Sequence, residues 1–467
     1  MGIPSYFSHI IRNHIQVLKK FTNQHFHNLY MDCNSIIYDC VRSPGQNMDK
    51  KDLCTSICQK IQQYIDTICP SNTVYIAFDG VAPLAKMDQQ RSRRYRNAFL
   101  EKAGIVAKSA FDSTQITPGT EFMTYLANHL NNHYFNGPEL VIVSASDEPG
   151  EGEHKLFQYI RDHPLKHLGQ NTAIYGLDAD LLMLSLFHTS KTCLYVLREA
   201  PEFAKSLNAD LEPNELYVLD IARFAEFICE TMPVHDYAFL CFMLGNDFLP
   251  HFPAVNIRTH GIQHLIDAYK ECGSPRIISQ DGQISWSNLK RIIKWLAKYE
   301  EAWIKHEYLQ RNDIVLHHCD DKEKMFNNVP LLYRATEHYI NPTEPNWRVR
   351  YYSALFGRIE DSTARDSLEP KVNKKAVCHN YYEGLEWVYK YYTNQCCDWR
   401  WKYEYNYPPL LLDLAMHSPK NVYFGQVVLN SCSEKEQLKY VMPTDDVSNT
   451  QFEWAWCKYF WEAHIKN

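Results

Sequence analysis

The chain has 467 residues, 45% of them hydrophobic and 22% charged, a globular balance with room for two or three domains. Its net charge of -7 excludes a general nucleic-acid binder with a basic surface, so any polyanion site must be local. The longest apolar run, LLMLSLF at 181–187, is too short to span a membrane. The N-terminus MGIPSYF lacks a charged start and an apolar stretch, and 15 scattered cysteines without CxxC pairs read as reduced, intracellular thiols. A cytoplasmic protein is expected, with the nucleus as the alternative.

In chain order, NLYMD (28–32) ends in Asp32 and TVYIAFD (73–79) ends in Asp79. LVIVSA (140–145) runs into EPGEGEHK (148–155), and TAIYGLD (172–178) ends in Asp178, with Asp180 next but one. Short apolar runs separated by helical segments predict a parallel sheet covered on both faces. LGNDFLPHFP adds Asp247 in a turn. Beyond about residue 270, the stretch 289–311 reads as one or two amphipathic helices, and 340–375, with Pro342, Pro345 and Pro370, reads as loops. Residues 381–407 hold eleven Tyr or Trp. The expected regions are a catalytic core over 1–270, a helical connection over 271–379, and an aromatic-rich region over 380–467 that completes the site.

Sites in open α/β sheets form outside the carboxyl ends of the strands, so Asp32, Asp79, Glu151, Glu153, Asp178 and Asp180 are expected at one rim, with Asp247 beside them. Taken singly, each acid is as well explained as a polar loop residue or a helix N-terminus. As a set they would repel each other strongly without cations. Hard divalent ions with oxygen ligands suit them, and two Mg²⁺ ions, or Mn²⁺ in their place, can clamp a phosphodiester. No thiolate or histidine set accompanies the acids, which argues against Zn²⁺ at the rim. Asp178 and Asp180, two apart, would point the same way at an extended strand end. Glu151 and Glu153, also two apart, would diverge in a helix, so Glu151 is expected in a loop or first turn that Gly150 and Gly152 let bend. Lys155 is expected to touch a phosphate or an acid there.

Between Pro83 and Lys108 the basic residues Lys86, Arg91, Arg93, Arg94, Arg96, Lys102 and Lys108 face only Asp88 and Glu101. A helix would align Lys86, Gln90, and Arg93 or Arg94 along one side. That arrangement suits a terminal phosphate, which Arg forks bind bidentately, although a solvated basic helix face is the commoner meaning of such a run. In the aromatic tract, Leu385, Val388 and Tyr392 recur at near-helical spacing and read as core. WRWKYEYNY, with its alternating charges, offers faces that could stack unpaired bases.

Together, MGIPSYF, MDCNSIIY, AFDGVAPLAKMDQQRSRRYR, ITPGTEFM, PGEGEHK, GLDADLLML, LGNDFLPHFP and the 383–414 tract resemble the XRN family of 5′→3′ exoribonucleases, over roughly 1–270 and 380–412. The resemblance implies a PIN/flap-nuclease-like α/β core, with a mainly parallel central sheet flanked by helices and a mostly helical C-terminal part. It implies metal binding and catalysis by Asp32, Asp79, Glu151, Glu153, Asp178, Asp180 and Asp247, and a 5′-phosphate pocket of Lys86, Gln90, Arg93 and Arg94. The 5′ nucleotide would stack on Tyr38, where the family has His, and on Trp399 or Trp401. The expected protein is a compact, nuclease-core-only, monomeric member that takes single-stranded RNA with a 5′ monophosphate. A flap-endonuclease-like DNA nuclease and an inactive RNA-binding scaffold are the rival expectations.

Overall fold

Five parallel strands form the centre of the computed structural model, which describes residues 2–42, 49–107, 111–313, 320–323, 325, 335–356, 373–425, 427–443, 452–453 and 464–465. The strands are β1 (Leu18–Lys20), β2 (Asn28–Asp32), β3 (Thr73–Ala77), β4 (Leu140–Ser144), β5 (Asn171–Tyr175), β6 (Cys193–Glu199) and β7 (Leu216–Asp220). Their order is β1-β7-β6-β5-β2-β3-β4. The run from β6 to β4 is parallel, and β7 pairs antiparallel with both β6 and β1. The chain moves outward from β2 through β3 to β4, then returns to the other side of β2 as β5. That reversal opens a crevice at the carboxyl ends of β2 and β5.

The alternation of side chains along β2 explains the two-faced core. Tyr30 joins one cluster, with Leu156, Phe157 and Ile160 of helix Gly152–Asp162 and most of helix Asp180–His188. Leu29 and Met31 join the other, with Ile36, Ile57, Ile61, Phe122 and Leu126 of helices Asn34–Arg42, Lys50–Ile68 and Glu121–Asn131. Asp49 and Thr120 start the last two of these helices by accepting the backbone N–H groups of Asp52 and Met123, the usual N-cap arrangement.

The four anticipated strands are all present and parallel. β1, β6 and β7 are additional. The stretch 289–311 is one helix, Trp286–Asn312. The reading of 340–375 as loops is corrected by helix Trp347–Leu355. Pro342 and Pro345 lie before its start, where proline does not break a helix, and Trp347, Tyr351 and Tyr352 bury against the core. Pro370 lies outside the described residues. Helix Lys374–Thr393 carries much of the aromatic tract into the main core, where Tyr392 meets Phe242 edge-on at 5.2 Å and Trp387 meets Phe248 at 5.1 Å. No described helix is long and apolar enough to cross a membrane.

Candidate active site

The residues after β2, β3, β4 and β5 meet at the crevice. Asp32 ends β2, Asp79 follows β3, and Asp178 lies in the turn after β5. Asp180 is the first residue of helix Asp180–His188, so the extended-strand argument that aligned it with Asp178 is corrected. The chain turns between them, and burial together with both carboxylates raises the pKa of Glu153. Glu151 is the N-cap of helix Gly152–Asp162 and Glu153 lies in its first turn, as the mismatch of their spacing with a helix face required.

The loop EPGEGE is threaded against the neighbouring acids. Gly150 sits at φ 111, a conformation glycine adopts freely. Gly152 donates its N–H to Asp79 Oδ1 at 2.7 Å. Lys155, expected from sequence at a phosphate or an acid, instead donates its Nζ to the carbonyls of Phe78 (2.9 Å) and Ala145 (2.8 Å). It thereby ties the ends of β3 and β4 together. Burial pushes this ammonium down to about 8, and main-chain carbonyls are what a nearly buried amine can use here.

Lys86 joins the basic helix Leu84–Lys102 to the acids. Its Nζ lies 2.6 Å from Glu151 and 2.7 Å from Asp247, with all three side chains nearly inaccessible. Burial alone would lower its pKa, but Asp247 and Glu151 outweigh that and hold it charged. Asp247 is held well below the usual carboxylate range by Lys86, against its own burial. Asp32, Glu151, Glu153 and Asp180 move the opposite way. Burial raises Asp32, with Asp79 and Asp178 adding to it. Burial also raises Glu153, and burial together with Asp247 brings Asp180 to about 7. One lysine therefore cannot neutralise the cluster.

Two buried carboxylate oxygens, Glu153 Oε1 and Asp180 Oδ2, have no hydrogen-bond partner among the described residues. Buried polar atoms are rarely left so, and all-oxygen donors of this kind fit Mg²⁺ or Mn²⁺. The acids are not drawn tightly together: among the described residues, the one set of three ligand side chains with atoms within 4.8 Å of one another lies elsewhere, at Cys58, His129 and His133. Mutual repulsion of the carboxylates accounts for the spread.

Of the other residues singled out by sequence, Gln90 is half-buried and accepts from Gln437 at 3.3 Å, Arg93 is exposed, and Arg94 donates to Thr117 Oγ1 at 2.8 Å. Tyr38 is half-buried beneath the Arg42 guanidinium, 5.8 Å from its ring centroid. Trp401 is buried against Trp387, with ring centroids 5.2 Å apart. Trp399 is half-buried, and its carbonyl accepts the Leu84 N–H that begins the basic helix. Lys108 lies outside the described residues.

Sequence reasoning missed four groups that hold the acids. Tyr391 donates to Glu151 Oε1 at 2.9 Å and Tyr392 to Asp180 Oδ1 at 2.5 Å. Gln89 donates to Asp247 Oδ1 at 2.5 Å, and Asn34 Oδ1 accepts the Asp79 N–H at 3.2 Å. Gln89 was findable, because it lies three residues after Lys86 on the same helix face.

This constellation of strand-end carboxylates with a buried lysine belongs to a mostly parallel α/β protein with a local basic helix. The description "XRN 5'-3' exonuclease N-terminus" matches residues 1–200, and "Xrn1 helical domain" matches 230–338 and 333–457. The chain belongs to the XRN 5′-3′ exonuclease family. It is 34% identical to 5'-3' exoribonuclease 1 of Saccharomyces cerevisiae over 63% of this chain and 22% of that protein. It is 28% identical to 5'-3' exoribonuclease 1 of Homo sapiens over 91% of this chain and 29% of that protein, and 26% identical to 5'-3' exoribonuclease 2 of Gallus gallus over 83% and 55%. The chain thus spans between about a fifth and somewhat over half of the length of these relatives. Among solved structures it is similar to the catalytic core of Rad2 in complex with DNA substrate (15% identity, 70% of this chain and 80% of that one, TM-score 0.36). It is also similar to human GEN1 in complex with Holliday junction DNA (14%, 76% and 79%, TM-score 0.37).

Proposed function

We propose that the chain is a divalent-metal-dependent 5′→3′ exoribonuclease that acts in the cytoplasm as a monomer on single-stranded RNA bearing a 5′ monophosphate. The observation that carries the reading is Lys86, which fastens a basic helix directly onto the carboxylates at the sheet's switch point. Asp32, Asp79, Glu151, Glu153, Asp178, Asp180 and Asp247 would hold two Mg²⁺ ions, or Mn²⁺ in their place. When bound, such ions supply Lewis-acid polarisation of the scissile phosphate and an acidified water. The core over 1–270 supplies the acids and the basic helix, and the 380–467 region completes the pocket.

Gln90, Arg93 and Arg94 receive the 5′ phosphate, with Lys86 joining that pocket to the acids. Arg94 spends one amino group on Thr117 and keeps the rest of its fork for the ligand. Tyr38 and Trp399 sandwich the first base. Water attacks the phosphorus between the first and second nucleotides and the bond to the first O3′ breaks. The products are a nucleoside 5′-monophosphate and an RNA one residue shorter that again carries a 5′ phosphate, ready for the next round.

The test compares 5′-monophosphate, 5′-triphosphate and 5′-hydroxyl RNA, and matching DNA, in Mg²⁺. Stepwise mononucleotide release from the monophosphate RNA alone is expected. The double variant Asp178→Ala plus Asp180→Ala should lose cleavage and still bind RNA in a gel shift. Normal degradation by that variant, or equal use of the DNA, would sink the reading.

A further inference from the structure

We propose that Cys58, His129 and His133 form a zinc-class metal site that pins the end of helix Glu121–Asn131, and the loop leading into β4, onto helix Lys50–Ile68. One donor atom from each of the three lies within 4.8 Å of the others. Thiolate with two imidazoles is a donor set suited to Zn²⁺ and poorly suited to Mg²⁺. It therefore differs in chemistry from the all-oxygen cluster at the rim. It also lies at the other end of the sheet: the loop after His133 feeds the first residue of β4, whereas the acids follow the strands' carboxyl ends.

The scaffold holds the three side chains in place without using their donor atoms. Among the described residues, none of the three has a side-chain hydrogen-bond partner. The His129 ring stacks on Tyr125 at 6.4 Å, and the His133 ring meets buried Phe135 edge-on at 4.6 Å. One helical turn from Cys58, Gln62 donates to the Asn136 carbonyl (3.1 Å) and accepts the Asn136 N–H (3.0 Å). This paired contact fixes the register of the 132–139 loop on the cysteine's helix. Cys58 is fully buried, and burial pushes its thiol up to about 12. Metal binding forms a metal–sulfur bond and releases the thiol proton to solvent. With three protein ligands, water takes the fourth position.

The full chain carrying Asp178→Asn and Asp180→Asn, which weakens the rim's own affinity for cations, is stripped of metal and titrated with Co²⁺ and then Zn²⁺. The expected result is a thiolate-to-cobalt absorption band that saturates at about one ion per chain. Zn²⁺ should displace it and raise Tm. Cys58→Ser should abolish the band, and His129→Gln or His133→Gln, both near the surface and harmless to folding, should abolish or shift it while circular dichroism stays unchanged. Absence of the band in the parent chain, its persistence in Cys58→Ser, or indifference to both histidine variants overturns the proposal.

Discussion

A methyl group at position 152 would lie 2.8 Å from Asp32 Oδ1, closer than a side chain tolerates, so the second glycine of GEGE serves the approach of backbone to carboxylate. Its freedom of φ is the lesser matter; that freedom is used at Gly150. The seven acids were legible because each follows an apolar run, a signal local to the sequence. Tyr391 and Tyr392 were not, because their bonds to Glu151 and Asp180 join residues more than 200 positions apart and a tyrosine in an aromatic tract reads first as core. These hydroxyls orient carboxylates from behind, and loss of such a partner typically weakens metal binding ~10–100-fold. Tyr391→Phe should therefore raise the Mg²⁺ concentration for half-maximal mononucleotide release ~10-fold, with the rate at saturating Mg²⁺ little changed. An unaltered Mg²⁺ titration would show that the hydroxyl only packs.

At the scale of elements, the strands that were legible are those whose apolar runs are short, continuous and followed by acids. β6 escaped notice because Arg198 and Glu199 interrupt its end, and β1 is only three residues long. β7 ends in Asp220, yet this acid merely caps the next helix by accepting the Arg223 N–H at 3.0 Å, which shows why a single strand-end acid is weak evidence of a site. The helix Glu434–Val441 carried no functional signal in sequence, although a capping box of Ser433 and Glu436 starts it. In the structure it clamps the basic helix. Buried Gln437 accepts the Ala82 N–H at 3.1 Å and donates to Gln90, Arg91 donates to the Tyr440 carbonyl at 3.0 Å, and Tyr440 bonds Asp88. Gln437 thus positions Gln90 from behind the proposed phosphate pocket. Gln437→Ala should raise KM for 5′-monophosphate RNA about fivefold, the loss of roughly 1 kcal/mol from one hydrogen bond, and leave kcat and the binding of 5′-hydroxyl RNA unchanged. A fall in kcat, or an equal loss for both RNAs, would indicate general loosening of the helix.

At the scale of the whole molecule, the resemblance in sequence located the two matching regions, but not how they share one core. Helix Lys374–Thr393 buries Trp387, Tyr391 and Tyr392 among side chains of the first 250 residues, so the site is assembled from both regions. Helix Trp286–Asn312 is a strut between them, and its charge pattern hid one exception. Glu300 is 1% exposed. One of its oxygens accepts the Leu411 N–H at 2.7 Å and the other has no partner among the described residues. Burial raises its pKa to about 7, against an ordinary 4.5, with the bond to Leu411 and the nearby Arg348 opposing it. The folded state therefore holds this proton more tightly than the unfolded chain does. Its stabilising contribution is complete below pH 4.5 and is lost as pH rises through about 7. A shift of this size corresponds to ~3 kcal/mol once the group is charged. Glu300→Gln keeps the acceptor for Leu411 and is neutral at every pH. The variant should match the parent in Tm near pH 5 and exceed it by several degrees at pH 8, where the parent must bury a carboxylate. A difference in Tm that does not change between those two pH values would mean that Glu300 is not the group that titrates.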